Sequence, residues 1–252
     1  RKISYNHKED SVPKKDVYAA AGVDIEAADK TKRRMKSIVR STFGPEVLAD
    51  LGGFGGLFAP ALGSYREPVL VSSVDSVGTK LKLAFMTGTH NTVGIDLVAH
   101  CANDILVQGA NPLFFLDYIG GGDMVPERVE DLVRGMARAC RNLDCALVGG
   151  ETAELPGLYQ GDNFDLVGFV VGAVEREKLI DGHDLQPGDL LLGIPSSGLH
   201  TNGFSLVRRV FDIDARPEVL SQDLAELGTT LADALLVPHR CYYPNLAPVL
   251  GS

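Results

Sequence analysis

A chain of 252 residues with 45 % hydrophobic and 23 % charged side chains has the material for one large domain or two small ones around a sizeable core. Its net charge of −9 argues against a broad nucleic-acid footprint, and the lack of Trp with only 7 % aromatics argues against a stacking platform for bases. Acidity leaves room for a phosphorylated small molecule, because backbone amides bind phosphate locally. Cys101, Cys140, Cys145 and Cys241 form no C-x-x-C pair and read as buried free thiols of a reducing compartment, not as a zinc site. No apolar run approaches the roughly 18 residues of a membrane span, and no signal peptide opens the chain. The expected location is the cytoplasm, with no membrane or nucleic-acid partner.

Residues 1–16 are polar and lysine-rich and read as a flexible arm. Asp24 is placed to cap a helix running to about Thr42, stopped by Gly44-Pro45. The glycine pairs of LGGFGGLFA (51–59) allow a sharp turn or a close approach to a ligand. Residues 68–74 read as a strand, and 92–108 as a helix with Val93, Leu97, Cys101 and Ile105 spaced at four. Residues 112–119 read as the next strand, and a helix then runs from Pro126 to about Asn142. Residues 145–148 and 165–174 are again strand-like. Alternating strand and helix predicts an α/β fold. Composition turns polar around 175–188, which divides a unit at 17–180 from a smaller one at 187–252. The smaller unit opens on a predicted strand, DLLLGIP, and passes through a Gly/Ser loop into a helix near Phe204.

Four segments combine glycine with carboxylates, amides or hydroxyls. Asp75-Ser76-Val77-Gly78-Thr79-Lys80 follows a strand, where Asp75 suits a hard cation and Lys80 a phosphate, against the plainer reading of a capped turn with a solvated lysine. It lacks the Walker A spacing. Asn103-Asp104 interrupts an apolar helix; either a metal or phosphate contact satisfies the pair, or one of the two faces solvent. Gly149-Gly150-Glu151-Thr152 lies just beyond strand 145–148, at the kind of strand end where α/β folds bind ligands, or forms a surface turn. The run Ser196 to Gly203 offers hydroxyls, an amide and His200 ahead of a helix, a setting for phosphate with a histidine that is either active or merely solvated. A G-x-S-x-G elbow is absent, which disfavours hydrolase chemistry.

Each segment is weak alone, but their order and wording are specific. DSVGTKLKLA, GIDLVAHCANDILVQGANPLFFLDY, ALVGGETAELPGLY, DLVGFVVGAVE and PSSGLHTNGFSLVRR together resemble the phosphoribosylformylglycinamidine cyclo-ligase family from about Tyr18 to about Tyr242. The resemblance implies an N-terminal dimerising α/β domain, with an α+β-like mixed sheet, followed by a C-terminal α/β domain. That second domain is expected to be partial, because the family's later TGGG and NCGVG segments have no counterpart here. The resemblance also implies a homodimer, ATP and Mg²⁺ as cofactors, and formylglycinamidine ribonucleotide as substrate, closed to aminoimidazole ribonucleotide. The alternatives are another ATP-dependent phosphoryl-transfer enzyme of the superfamily, or a non-catalytic dimerisation module.

Carried onto this sequence, the resemblance marks His200, Lys80 and Asp75 as catalytic and Asp75, Asp104 and Glu151 as metal ligands. Lys36, Gly78, Thr79, Lys80, Asn103, Gly149 and Gly150 are expected at the cofactor. Ser197, Gly198, His200, Thr201, Asn202 and Gly203 are expected at the substrate. Ser76 replaces the family's usual Gly, and Ala19 follows Tyr18 where Lys is common.

Overall fold

The computed structural model describes residues 25–52, 55–161 and 163–250. The arm at 1–16, the cap at Asp24, Tyr18-Ala19 and Gly53-Phe54 lie outside them. The first helix, α1, is Ile25–Arg40. Strand β1 (Pro68–Ser76) leads through the turn at Gly78–Lys80 into α2 (Leu81–Thr87). Then come α3 (Val93–Leu106), β2 (Asn111–Gly121), α4 (Pro126–Arg141), β3 (Ala146–Glu154) and β4 (Phe164–Glu175).

The four strands form one mixed sheet in the order β1-β4-β2-β3. β4 runs antiparallel to both β1 and β2, and β2 is parallel to β3 across the α4 crossover. Periodicity explains the layering. Val93, Leu97, Cys101 and Ile105 on α3 are all 1 % exposed or less, and they meet the sheet residues Phe115, Ile119, Leu166 and Val170 in a single core. α3 and α4 lie close together because Gly94 faces Gly135. A Cβ on Gly94 would come within 2.2 Å of the Leu132 carbonyl, so any larger residue forces the helices apart.

Helices α1, α3 and α4 cover one face of the sheet. The opposite face stays apolar without a helix over it among the described residues: Leu70 and Val74 of β1 are each 63 % exposed, and Phe169, Val171, Phe114 and Leu116 extend this surface across β4 and β2. Phe58 packs on it from outside the sheet, with its ring 5.2 Å from that of Phe114.

A second, smaller cluster lies beyond residue 200. α5 (Phe204–Val210), α6 (Leu231–Leu236) and a two-strand ribbon, β5 (Asp223–Leu224) with β6 (Thr229–Thr230), surround Phe204, Ile213, Leu220, Leu231 and Leu235. Leu83 of α2, fully buried, belongs to this cluster and links it to the first. The last described element is α7 (Tyr243–Leu250).

Two expectations need correction. The run 189–195 is not a strand: it has no regular structure, and Leu190, Leu191 and Leu192 are 90 %, 96 % and 93 % exposed. Its leucines suit a buried strand, but a strand needs a hydrogen-bonded neighbour, and none of the described strands runs beside it. Conversely, Gly149 to Glu154 is not a turn beyond a strand; it is the second half of β3, paired with Leu116 to Gly121. No helix among the described residues is long and apolar enough to cross a membrane.

Candidate active site

The first and fourth sequence segments, far apart in the chain, meet. Asp75 to Thr79 and Thr201 to Ser205 line a common cleft of about 270 Å³, and the hydroxyls of Thr79 and Ser205 lie 3.2 Å apart across it. Asp75, Gly78 and Thr79, expected at the metal and the cofactor, thus share one cleft with Thr201, Asn202 and Gly203, expected at the substrate. Ser197, Gly198 and His200 are not on its wall. Ser197 donates its hydroxyl to the Pro238 carbonyl. His200 has a left-handed backbone (φ 59°), and its Nε2 accepts the Ser197 amide, so the ring serves the loop's internal order.

Lys80 is the clearest departure from expectation. It is completely buried and contacts neither solvent nor the cleft. Its Nζ lies 2.9 Å from both oxygens of the equally buried Asp96. It also donates to the carbonyls of His200 at 3.2 Å and Val237 at 2.9 Å, and sits 5.5 Å from the Phe204 ring centre. An ammonium has three protons, and these acceptors use them. The phosphate role expected for Lys80, catalytic or cofactor-binding, is therefore incompatible with this geometry. Burial pushes the Lys80 ammonium down and the Asp96 carboxyl up, and each charge pulls the other back toward its ionised form. Asp96 in turn accepts the His239 amide at 2.6 Å. The pair fastens two loops of the smaller cluster onto α3.

Asn103 and Asp104 are both satisfied by protein groups. The Asn103 side chain accepts the Tyr242 amide and donates to the Arg240 carbonyl. Asp104 is exposed and accepts the Ser73 hydroxyl at 2.6 Å. Beside them stand two residues that sequence reasoning passed over. His100 Nε2 lies 3.0 Å from Asp75 Oδ2, and the His239 ring stacks on His200 with centres 4.1 Å apart. Burial, reinforced by His200, His100 and Lys80, pushes His239 down to about 3, so this ring is neutral at neutral pH. Burial first, then the charges of Lys80, Arg240 and His100, lower His200. A signal was available: Asp96, His100 and Asn103 recur at helical spacing on an otherwise apolar helix.

The remaining expected residues gather elsewhere. Lys36 of α1 and Gly149, Gly150 and Glu151 of β3 line a second cleft of about 470 Å³. Its cationic wall is Lys32, Arg33 and Lys36, with Lys36 ion-paired to Asp50 at 2.8 Å. Asp117 of β2 also reaches it. That residue keeps some accessible surface, yet its carboxyl is enclosed, and desolvation pushes it up to about 7. Gly150 makes room for it, since a Cβ there would lie 2.5 Å from Asp117 Oδ1. Across the sheet, Asp75 pairs with Gly168, Gly168 with Asp117, and Asp117 with Gly150. The two clefts therefore sit at opposite edges, three strand spacings or about 14 Å apart. Glu151 cannot share a metal with Asp75 and Asp104 within one chain. Among the described residues no group of three His, Cys, Asp or Glu side chains is placed to hold a metal ion.

Residues 63–174 match the family model described as AIR synthase related protein, N-terminal domain. A phosphoribosylformylglycinamidine cyclo-ligase of Desulfitobacterium hafniense (strain DSM 10664 / DCB-2) is 54 % identical over 235 residues, 93 % of this chain and 68 % of that protein. The chain belongs to the phosphoribosylformylglycinamidine cyclo-ligase family. The enzyme of that name from Geobacillus thermodenitrificans (strain NG80-2) is 54 % identical over 234 residues, 93 % of this chain and 67 % of that one. Among solved structures, thiamine-monophosphate kinase from Stenotrophomonas maltophilia K279a aligns at 20 % identity and a TM-score of 0.41, covering 60 % of this chain and 42 % of that one. E. coli HypE aligns at 20 % identity and a TM-score of 0.43, covering 57 % and 43 %. Both likenesses are too distant to bear on the site.

The buried pair gives a direct test of cyclo-ligase architecture. Lys80→Met leaves the buried Asp96 carboxylate without its counterion, and should cost about 3–5 kcal/mol of stability in urea unfolding. Adding Asp96→Asn, which removes that charge and keeps an acceptor, should return part of the loss. A cost of Lys80→Met below about 1 kcal/mol, the level of an exposed pair, would contradict this reading.

Proposed function

We propose that the chain carries out the ring closure of its family: ATP-dependent conversion of formylglycinamidine ribonucleotide to aminoimidazole ribonucleotide, releasing ADP and phosphate in purine biosynthesis. The observation that carries this reading is the convergence of DSVGT and TNGFS on one cleft. It makes the chain a ligase that forms a carbon–nitrogen bond. Phosphoryl transfer to the formamide oxygen turns a poor leaving oxygen into an iminophosphate. An amidine nitrogen then attacks that carbon, the ring closes, and phosphate departs with the oxygen. Such chemistry needs positioning and charge stabilisation more than a protein nucleophile.

The roles follow from the two clefts. The smaller one offers an anion the exposed backbone and side chain of Asn202, Gly203 and the Thr79 and Ser205 hydroxyls, so the ribonucleotide phosphate is assigned there. The larger, with Lys32, Arg33 and Lys36 on its wall, is assigned to ATP. Mg²⁺ commonly binds one or two carboxylates and completes its shell with phosphate and water. Asp75 and Asp104, both on the seam between β1 and α3, would hold it; when bound it supplies neutralisation of phosphate charge. Two hydrophobic clusters, joined through Leu83, support a division into units at 17–180 and 187–252. The open sheet face at Leu70, Val74 and Phe169 supports a homodimer formed sheet to sheet.

Supplied with ATP, Mg²⁺ and the ribonucleotide, the purified protein should release ADP and aminoimidazole ribonucleotide together. Asn202→Ala should raise the KM for the ribonucleotide about tenfold, the effect of one lost charge-assisted hydrogen bond, and leave that for ATP nearly unchanged. Loss of ATP affinity with ribonucleotide affinity kept would reverse the two assignments, and no ring closure at all would refute the reading.

Light scattering at micromolar concentration should give twice the mass of one chain. Leu70→Lys with Val74→Lys, placing two charges on the open face, should halve it while the fold survives. A wild-type monomer would contradict the dimer.

A further inference from the structure

The larger cleft holds one side chain to which the reading above gives no task. Asp117 stands in the middle of β2, on the same face as the core residues Phe115 and Ile119, and so beneath the helices. Its carboxyl leans over β3, with Oδ1 only 2.5 Å from where a Cβ on Gly150 would lie. Glycine at 150 therefore lets the carboxyl reach the cleft, whose wall runs along Gly149 to Thr152. Among the described residues its own amide is the one hydrogen-bond donor it meets, and no cation opposes the effect of its burial. Lys36, on the same cleft, is paired with Asp50 instead. Glu151, the other acid of the cleft, is exposed, so water satisfies it.

An enclosed carboxyl without a protein partner is costly, and such groups are kept where a ligand uses them. The cleft shows which ligand group that would be. Val39, Val133 and Leu147, each 5 % exposed or less, make its inner wall apolar together with Met35. Lys32 and Arg33 lie on its exposed side. Phosphates are anions and acceptors, so Asp117 repels them and the cations of α1 attract them. The rest of a nucleotide carries two kinds of donor, the ribose hydroxyls and the exocyclic amine of the base. A flat, largely apolar base suits the apolar wall, and there its amine meets the carboxyl.

We propose that Asp117 is a specificity-determining residue for the nucleotide: its carboxyl accepts a hydrogen bond from the exocyclic amine of adenine, with the base against the apolar wall and the phosphates toward Lys32 and Arg33. The proposal deepens the proposed function and rests on it for one point, that this cleft takes ATP. Ionised or neutral, the carboxyl keeps an oxygen free to accept, so the role holds in both states.

The test is a cycle of two nucleotides and two proteins, read by calorimetry with Mg²⁺ and without the ribonucleotide. The second nucleotide is purine riboside triphosphate, which is ATP without its amino group. Wild type should bind it about tenfold more weakly than ATP, the effect of one lost hydrogen bond to a charged or enclosed group. Asp117→Leu, close in shape and unable to accept, should bind both nucleotides alike, at the weaker level. It should also resist urea at least as well as wild type, since it removes an enclosed polar group that has no partner. Asp117→Asn, which keeps an acceptor oxygen, should retain the preference for ATP. Equal binding of the two nucleotides by wild type, or an undiminished preference in Asp117→Leu, overturns the proposal. If Asp117→Leu instead erases a preference for ATP over its 2′-deoxy form, the carboxyl holds the ribose and the assignment to the base is wrong. Amide shifts of Gly149 and Gly150 locate the nucleotide. ATP that leaves them unmoved removes the cleft assignment and this proposal with it, whereas ATP bound there without ring closure contradicts the proposed function alone.

Discussion

One buried ion pair sets the relation between the two parts of this protein. Lys80 ends the turn after β1, and Asp96 stands in the first turn of α3, where a carboxylate also suits the helix dipole. Together they hold the carbonyls of His200 and Val237 and the amide of His239. Taking both charges out of water costs several kcal/mol apiece, so the pair is a poor device for stability alone. It contributes a unique arrangement. No apolar substitute could satisfy three backbone groups from two separate loops, and with those groups unsatisfied the loops have no fixed seat on α3.

The cleft inherits its shape from that seat. The Lys80 side chain turns inward, away from the cleft, while Gly78 and Thr79, two residues and one residue earlier, remain on its surface. His200 offers its carbonyl inward to Lys80, and the next residue, Thr201, lines the cleft. The ion pair and the binding surface are thus two sides of the same short segments. His100 lies between them and touches both Asp75 and Thr201.

Periodic features were legible in the sequence, and pairings between distant residues were not. The four-residue spacing of Val93, Leu97, Cys101 and Ile105 marked α3 to within two residues of its ends, and the β-branched runs marked β1 and β4. The strand at 189–195 failed because leucine content reports a wish for burial, while strand formation depends on a partner elsewhere in the fold. The burial of Lys80 escapes local sequence for a related reason. A lysine after a Gly-Thr pair looks like a phosphate ligand, and nothing local announces an Asp sixteen positions on. Glu151 was grouped with Asp75 by chemistry, although strand order sets them on opposite edges. His239 carried no motif; only its neighbours in space give it a role. The polar stripe of Asp96, His100 and Asn103 on α3 was the one readable trace of the interface.

If the ion pair fastens the loops, hydrogen exchange shows it locally. In Lys80→Met, amides of residues 197–205 and 237–242 should exchange much faster than in the wild type, while those of β4 at the centre of the sheet keep their protection. Unchanged exchange in both loops, or loss spread evenly over loops and sheet, would contradict the claim that this pair is what seats the smaller part of the molecule on the larger.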